Sequence, residues 1–163
     1  MIGLDVGDKR IGIAASDGLG LTAQGLPTLV RRNSRDDLDQ LIHIIQERNA
    51  SGLVVGLPKN MNGSEGFQAE KVRAFVHTLL ERMRDLGFNE PDVVYWDERL
   101  TTAAARRTLL EADVSRKKRK GAVDKLAAVL ILQGFLDFEN LKRKKQSSPS
   151  IDNPVLCKYN DRE

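Results

Sequence analysis

Three acidic residues, Asp5, Glu98 and Asp124, stand at positions where a carboxylate is costly or directional. Asp5 lies in Met1-Ile2-Gly3-Leu4-Asp5-Val6-Gly7, whose alternation puts Ile2, Leu4 and Val6 on one face of a strand and Gly3, Asp5 and Gly7 on the other. A charge in a sheet centre is unfavourable unless it is paired or holds a metal. The flanking glycines leave its face open to close approach. Asp97 and Glu98 follow an apolar strand pattern, at the end of a strand where ligands commonly bind. Asp124 opens a helical pattern and shares a face with Ala127, Ala128 and Ile131, whose small alanines let a helix lie close to a sheet.

Carboxylates from three separate elements, meeting at one point, make a site for divalent cations. Magnesium takes oxygen ligands and keeps waters, so a few carboxylates and a substrate phosphate complete its shell; manganese is accommodated by similar ligands. Two such ions, roughly 4 Å apart, activate the attacking water and stabilise the leaving oxygen. The expected chemistry is metal-assisted phosphodiester hydrolysis, with Asp5 bridging two ions and Glu98 and Asp124 each fixing one. Simpler roles stand beside these. Asp124 favours a helix dipole, Glu98 can pair with Arg99, and Asp5 can be neutralised by Lys9 or Arg10 across a hairpin.

The elements that must position these acids follow from periodicity. Arg10 to Ser16 reads as a second strand and Leu21 to Val30 as a third extended stretch interrupted by Gly25 and Pro27, with short polar turns that imply antiparallel hairpins. A helix follows, carrying Leu38, Leu41, Ile42 and Ile45 on one stripe, with Ser34 or Asp36 as its cap. Gly52 to Leu57 is a continuous apolar run, as in a parallel strand covered on both sides. After the loop Lys59-Asn60-Met61-Asn62-Gly63, Ser64 is expected to cap a helix that stops at Gly87. Asp92 to Trp96 is a fifth strand, Thr101 or Thr102 opens an alanine-rich helix, the cationic run Arg116 to Lys120 interrupts, and a last helix spans about Ala122 to Leu141. The order predicts an α/β fold with a mixed five-stranded sheet, three antiparallel strands then two parallel, flanked by helices. Residues 1–141 form one domain; 142–163 are polar and basic and are expected to be a disordered tail.

With 163 residues, 40% hydrophobic and 30% charged, the chain has the composition of an ordinary globular protein. Its lone cysteine, the absence of a long apolar run and a strand beginning at the first residue lead to the expectation of a cytoplasmic protein with no leader and no membrane contact. The net charge of +3 is concentrated in two runs, Arg116 to Lys120 and Lys142 to Lys145. Such runs bind polyphosphate backbones by counterion release or are simply solvated.

Four ordered blocks, GLDVGDKRIGIAASD (3–17), VVGLPKNMNGSEG (54–66), WDERLTT (96–102) and VDKLAAVLILQGFL (123–136), resemble those of the YqgF/RuvX family. The resemblance implies a ribonuclease H-like fold and a bacterial cytoplasmic nuclease that matures the 5′ end of pre-16S rRNA, with ribosomal precursor particles as its setting. An older proposal makes such proteins Holliday-junction resolvases acting on branched DNA. The acids matched to the family are Asp5, Glu98 and Asp124. Around them, Lys9, Arg10, Asn60, Arg99, Lys117 and Lys118 are the candidate substrate-binding residues; each also reads as a solvated or structural side chain, with Arg99 holding Glu98. Arg106, Arg107, His43 and His77 read as surface residues, and Trp96 as core.

Three other functions compete. A DNA-junction resolvase uses the same phosphate chemistry. A non-catalytic RNA-binding assembly factor would rely on the cationic runs, with structural acids. An ATP-binding protein of the actin and sugar-kinase type shares the opening strand, but needs a second lobe for which this length leaves no room. Monomer and homodimer both remain open.

Overall fold

The computed structural model describes residues 1–32, 35–97 and 116–147, with side chains in the last span from Val123 to Gln146. The elements are β1 (Ile2–Val6), β2 (Arg10–Ser16), β3 (Ala23–Gly25), β4 (Leu29–Val30), α1 (Arg35–Glu47), β5 (Gly52–Leu57), α2 (Phe67–Asp85), β6 (Asp92–Asp97) and α3 (Arg116–Ser147). Among the described residues they build one six-stranded sheet, ordered β3-β2-β1-β5-β6, with β4 also on β2. β1 pairs antiparallel with β2 and parallel with β5, and β5 is parallel to β6. This is the mixed α/β sheet that the element order predicted, with six strands where five were expected.

The third extended stretch is two short strands. Ala23–Gly25 pairs with Ala14 to Ser16, and Leu29–Val30 pairs with Arg10 and Ile11. Pro27 lies between them and has no N–H to offer a ladder, so the pairing breaks there. Asp17 closes the turn before β3. Its carboxylate accepts from the Leu21 N–H, and from the Thr22 N–H and hydroxyl. The Leu21 bond above all keeps that carboxyl below the usual range.

Alternation sorts the side chains into two cores. Ile2, Leu4, Ile11, Ile13, Leu53 and Val55 face one way and pack with Leu41, Ile42 and Ile45 of α1 and Val72, Val76 and Leu79 of α2. Ala14 and Val54 face the other way and pack with Ala128, Ile131, Leu132, Phe135 and Leu136 of α3. Every residue of β5 is buried, because it lies inside the sheet with helices on both faces. Trp96 belongs to the α3 side, edge-on to Phe135 at 5.8 Å and to Phe138 at 5.7 Å.

Three helix boundaries bear on the expectations. Of the two cap candidates for α1, Asp36 lies inside the helix and Ser34 lies outside the described residues. The neighbouring Asp37, 4% exposed, takes the Arg32 N–H at 2.7 Å. Gly66, not Ser64, occupies the N-cap of α2. Ser64 instead donates to the Asn62 side-chain oxygen at 2.6 Å and accepts from the Asn60 side chain at 2.9 Å, so its hydroxyl serves the loop. Third, α3 contains the cationic run Arg116 to Lys120 and continues past Leu141 to Ser147. Lys142 to Lys145 is therefore helical. The alanine-rich helix expected from Thr101 or Thr102 lies outside the described residues. At the end of α2, Gly87 adopts a φ of 77°, the left-handed conformation that ends a helix.

Candidate active site

The hairpin of β1 and β2 sets Asp5 opposite Gly12. Directly opposed residues share a face, about 5 Å apart at Cα. That face also carries Gly3, and Arg10 by its two-residue spacing from Gly12. Helix α3 runs across it. A β-carbon on Gly3 would come within 2.7 Å of Leu132 Cβ. One on Gly12 would overlap the backbone carbonyl oxygen of Asp124 and lie 2.6 Å from its carbon. The turn of α3 that carries Asp124 therefore rests on bare strand backbone, with Asp124 beside the strand position of Asp5. Ala128, fully buried, would stand 3.4 Å from that same added β-carbon, and its small size permits the approach.

Arg10 Nη1 lies 3.9 Å from Asp124 Oδ2. This is an ion pair too long for a hydrogen bond. With both side chains about one-third exposed, it contributes at most about 1 kcal/mol. Nη1 itself is buried and, among the described residues, has no hydrogen-bond acceptor. Lys9 is exposed on the turn, one residue out of phase with Arg10, and its carbonyl accepts the Arg31 N–H at 2.9 Å. Asp8 pairs with Lys71 of α2 at 3.1 Å.

The carboxyl ends of β1, β5 and β6 share one rim. The register Leu4 to Val55 to Tyr95 puts Asp5 one step short of the level reached by Asp97, the last residue of β6. Glu98 and Arg99 follow immediately and lie outside the described residues. Among the described residues no three His, Cys, Asp or Glu side chains are grouped to hold a metal. Of the three expected ligands, Asp5 and Asp124 are the two that fall within the described residues. Lys117 and Lys118 lie in the first turns of α3, ahead of Asp124 in the chain.

The loop after β5 borders the same rim. Asn60 is exposed; its N–H bonds the Ser64 carbonyl, and its side chain reaches the Ser64 hydroxyl. A clamp that the sequence pattern does not reveal fixes this loop. Arg73 of α2 holds Glu65 through two bonds, of 2.8 and 2.7 Å, and stacks 4.2 Å above the Tyr95 ring of β6. The Arg73 bonds press the Glu65 carboxyl below its ordinary value. Nothing in the spacing of Glu65, Arg73 and Tyr95 signals that meeting, because it depends on how α2 lies over the sheet. Gln133 of α3 is equally silent in the sequence. It accepts from the Ala23 N–H and donates to the Leu21 carbonyl, tying the helix to the edge hairpin. His43 and His77 are exposed, as expected of surface positions.

A family profile described as "RuvX: Holliday junction resolvase" matches residues 1–138. The chain belongs to the RuvX family. RuvX relatives carrying the name "Putative pre-16S rRNA nuclease" include one from Clostridioides difficile, 54% identical over 139 residues, covering 85% of this chain and 94% of its own. Another, from Halothermothrix orenii, is 48% identical over 140 residues, with coverages of 86% and 96%. A third, from Staphylococcus epidermidis, is 53% identical over 139 residues, with coverages of 84% and 94%. Among solved structures, Thermus thermophilus RuvC in complex with a Holliday junction substrate aligns with a TM-score of 0.49 and 15% identity, over 86% of this chain and 96% of that one. The described residues of this RuvX chain include no helix long and apolar enough to cross a membrane.

Proposed function

We propose that this protein is a magnesium-dependent nuclease, with manganese able to substitute, that hydrolyses phosphodiester bonds in structured RNA. Its substrate is the 5′ end of pre-16S rRNA, reached in ribosomal precursor particles in the cytoplasm. The observation that carries this reading is the seating of Asp124 on Gly12, beside Asp5. Divalent-cation chemistry gives two carboxylates from β1 and α3 a common purpose on a glycine-lined face. The relatives' name supplies the RNA.

The donor set suits the metal: hard carboxylate oxygens from two elements, beside a strand face left bare by glycine. Asp5, Asp124 and Glu98 would hold the ions, which supply Lewis-acid polarisation of the phosphate and activation of the attacking water. The protein's own groups bind and orient. Arg10 and Lys9 on the hairpin, Asn60 on the adjoining loop, and Arg99, Lys117 and Lys118 would contact the phosphate backbone. In the reaction, water oxygen bonds to phosphorus, the bond to one bridging ribose oxygen breaks, and that oxygen leaves with a proton from solvent. Residues 1–141 form the nuclease unit, and 142–163 add a cationic extension, the first part of it helical.

The description of the family profile favours a second substrate, the four-way DNA junction. Cleavage of a labelled pre-16S fragment and of a four-way junction, with magnesium, by wild type and Asp5→Asn, tests both. We expect wild type to cut the RNA and the variant to cut neither, while still binding at low salt. Cutting of the junction alone transfers the function to DNA. Undiminished cleavage by the variant removes the metal role of Asp5.

A further inference from the structure

Arg10 carries a guanidinium nitrogen whose position suits two partners in turn. Its backbone is fixed: the carbonyl accepts the Gly7 N–H at 2.9 Å, and Val30 of β4 is its register partner. Nη1 is buried, stands 3.9 Å from Asp124 Oδ2, and has no hydrogen-bond acceptor among the described residues. The guanidinium therefore compensates the charge of Asp124 without spending a hydrogen bond on it. The two side chains are 32% and 30% exposed, so the pair opens to solvent on one side.

We propose that Arg10 is the resident counter-cation of the acid site. It balances Asp124 while no divalent ion is bound, and turns the same nitrogen to a substrate phosphate oxygen once an ion takes that carboxylate. The inference rests on the metal-dependent reading above. Two cations beside one carboxylate repel, so Arg10 and the ion compete in the substrate-free protein. A bound phosphate reverses the relation. Its negative charge draws both cations, and the planar fork of arginine matches phosphate oxygens. Arg10 thus weakens ion binding before substrate arrives and supports it afterwards, which keeps the site from committing an ion without nucleic acid.

Removing Arg10 must then move two affinities in opposite directions. A structural arginine would weaken both or neither. A simple phosphate contact would weaken nucleic-acid binding and leave ion binding to the substrate-free protein unchanged. The test uses the full chain, with Arg10→Gln and Arg10→Lys. Manganese binding to the substrate-free protein is followed by calorimetry or electron paramagnetic resonance. Binding of a pre-16S hairpin RNA is measured in calcium at several salt concentrations.

Arg10→Gln should bind manganese about five-fold more tightly, the equivalent of one screened ion pair. It should also bind RNA more weakly, with a salt slope shallower by roughly 0.7 to 0.9. Arg10→Lys should keep the wild-type manganese affinity and lose RNA affinity, because it has the charge without the fork; melting curves establish that both variants are folded. Manganese affinity of Arg10→Gln equal to or below wild type overturns the proposal. If Arg10→Gln does not fold, Arg10→Lys decides, and undiminished RNA affinity in that variant overturns it. Wild-type protein that takes up no manganese removes the metal-dependent reading itself. Manganese binding that is the same in wild type and Arg10→Gln removes only the counter-cation role of Arg10.

Discussion

Replacing Gly12 with alanine tests whether the contact between β2 and α3 sets the position of Asp124. The new methyl carbon would lie 2.6 Å from the Asp124 carbonyl carbon and nearer still to its oxygen, whereas ordinary contact begins at 3.4 Å. The helix must withdraw by about 1 Å, since close-packed interiors leave no slack. The obstacle is helix backbone, which cannot rotate aside as a side chain does. The helix is also pinned further along by Leu132, Phe135 and Leu136. Overpacking of this kind costs about 1–3 kcal/mol. At roughly 2–4 °C per kcal/mol for a chain of this size, the melting midpoint falls by about 2–12 °C. The displacement falls on the turn that bears Asp124, and a shift of about 1 Å in a catalytic group costs on the order of 100-fold in rate. Circular-dichroism melting and single-turnover cleavage at saturating magnesium measure the two effects. Gly18→Ala is the control, because a methyl there meets nothing within 4 Å. It should stay within about 0.5 kcal/mol of wild type. A Gly12→Ala protein that melts with wild type, or melts early yet cleaves at the wild-type rate, would refute the seating of Asp124 on Gly12 as the determinant of its position.

Two further outcomes are expected. Arg82 holds Asp39 through bonds of 2.8 and 3.0 Å, and these keep the Asp39 carboxyl below its ordinary value of 3.8. Because the folded value is the lower one, the contribution is complete above the unfolded value and disappears as pH falls through the folded one. The melting advantage of wild type over Asp39→Asn should therefore be constant above about pH 5 and shrink below about pH 4; an unchanged gap at lower pH would assign the advantage to something other than this pair. Neutralising Lys117, Lys118 and Lys120 together should weaken nucleic-acid binding broadly and reduce the salt slope by up to roughly 2 to 3, and an unaltered slope would place the phosphates elsewhere.

Period and residue type alone specified a good deal of this protein. Two-residue alternation marked β1 and β2. An unbroken apolar run marked β5 as the strand covered on both faces. The helical stripe on α2 ended at Gly87 because the left-handed turn there suits glycine. Asp5 stood out for a local reason, a charge on the glycine side of a strand, and that needs no knowledge of what lies above it. The break at Pro27 was visible, but its result, two strands on one edge of β2, was not.

Tertiary structure decided which residues meet. Gly12 as the seat of Asp124, Arg10 beside its carboxylate, and Arg73 joining Glu65 to Tyr95 all arise where elements cross. Chain order carries no information about crossing angle or depth. The helicity of Arg116 to Lys120 is of the same kind. Five neighbouring cations repel and read as a loop. In the fold they are the opening turns of a helix of 32 residues whose later turns are buried against the sheet, and a helix anchored in that way extends through a segment that would not form one alone.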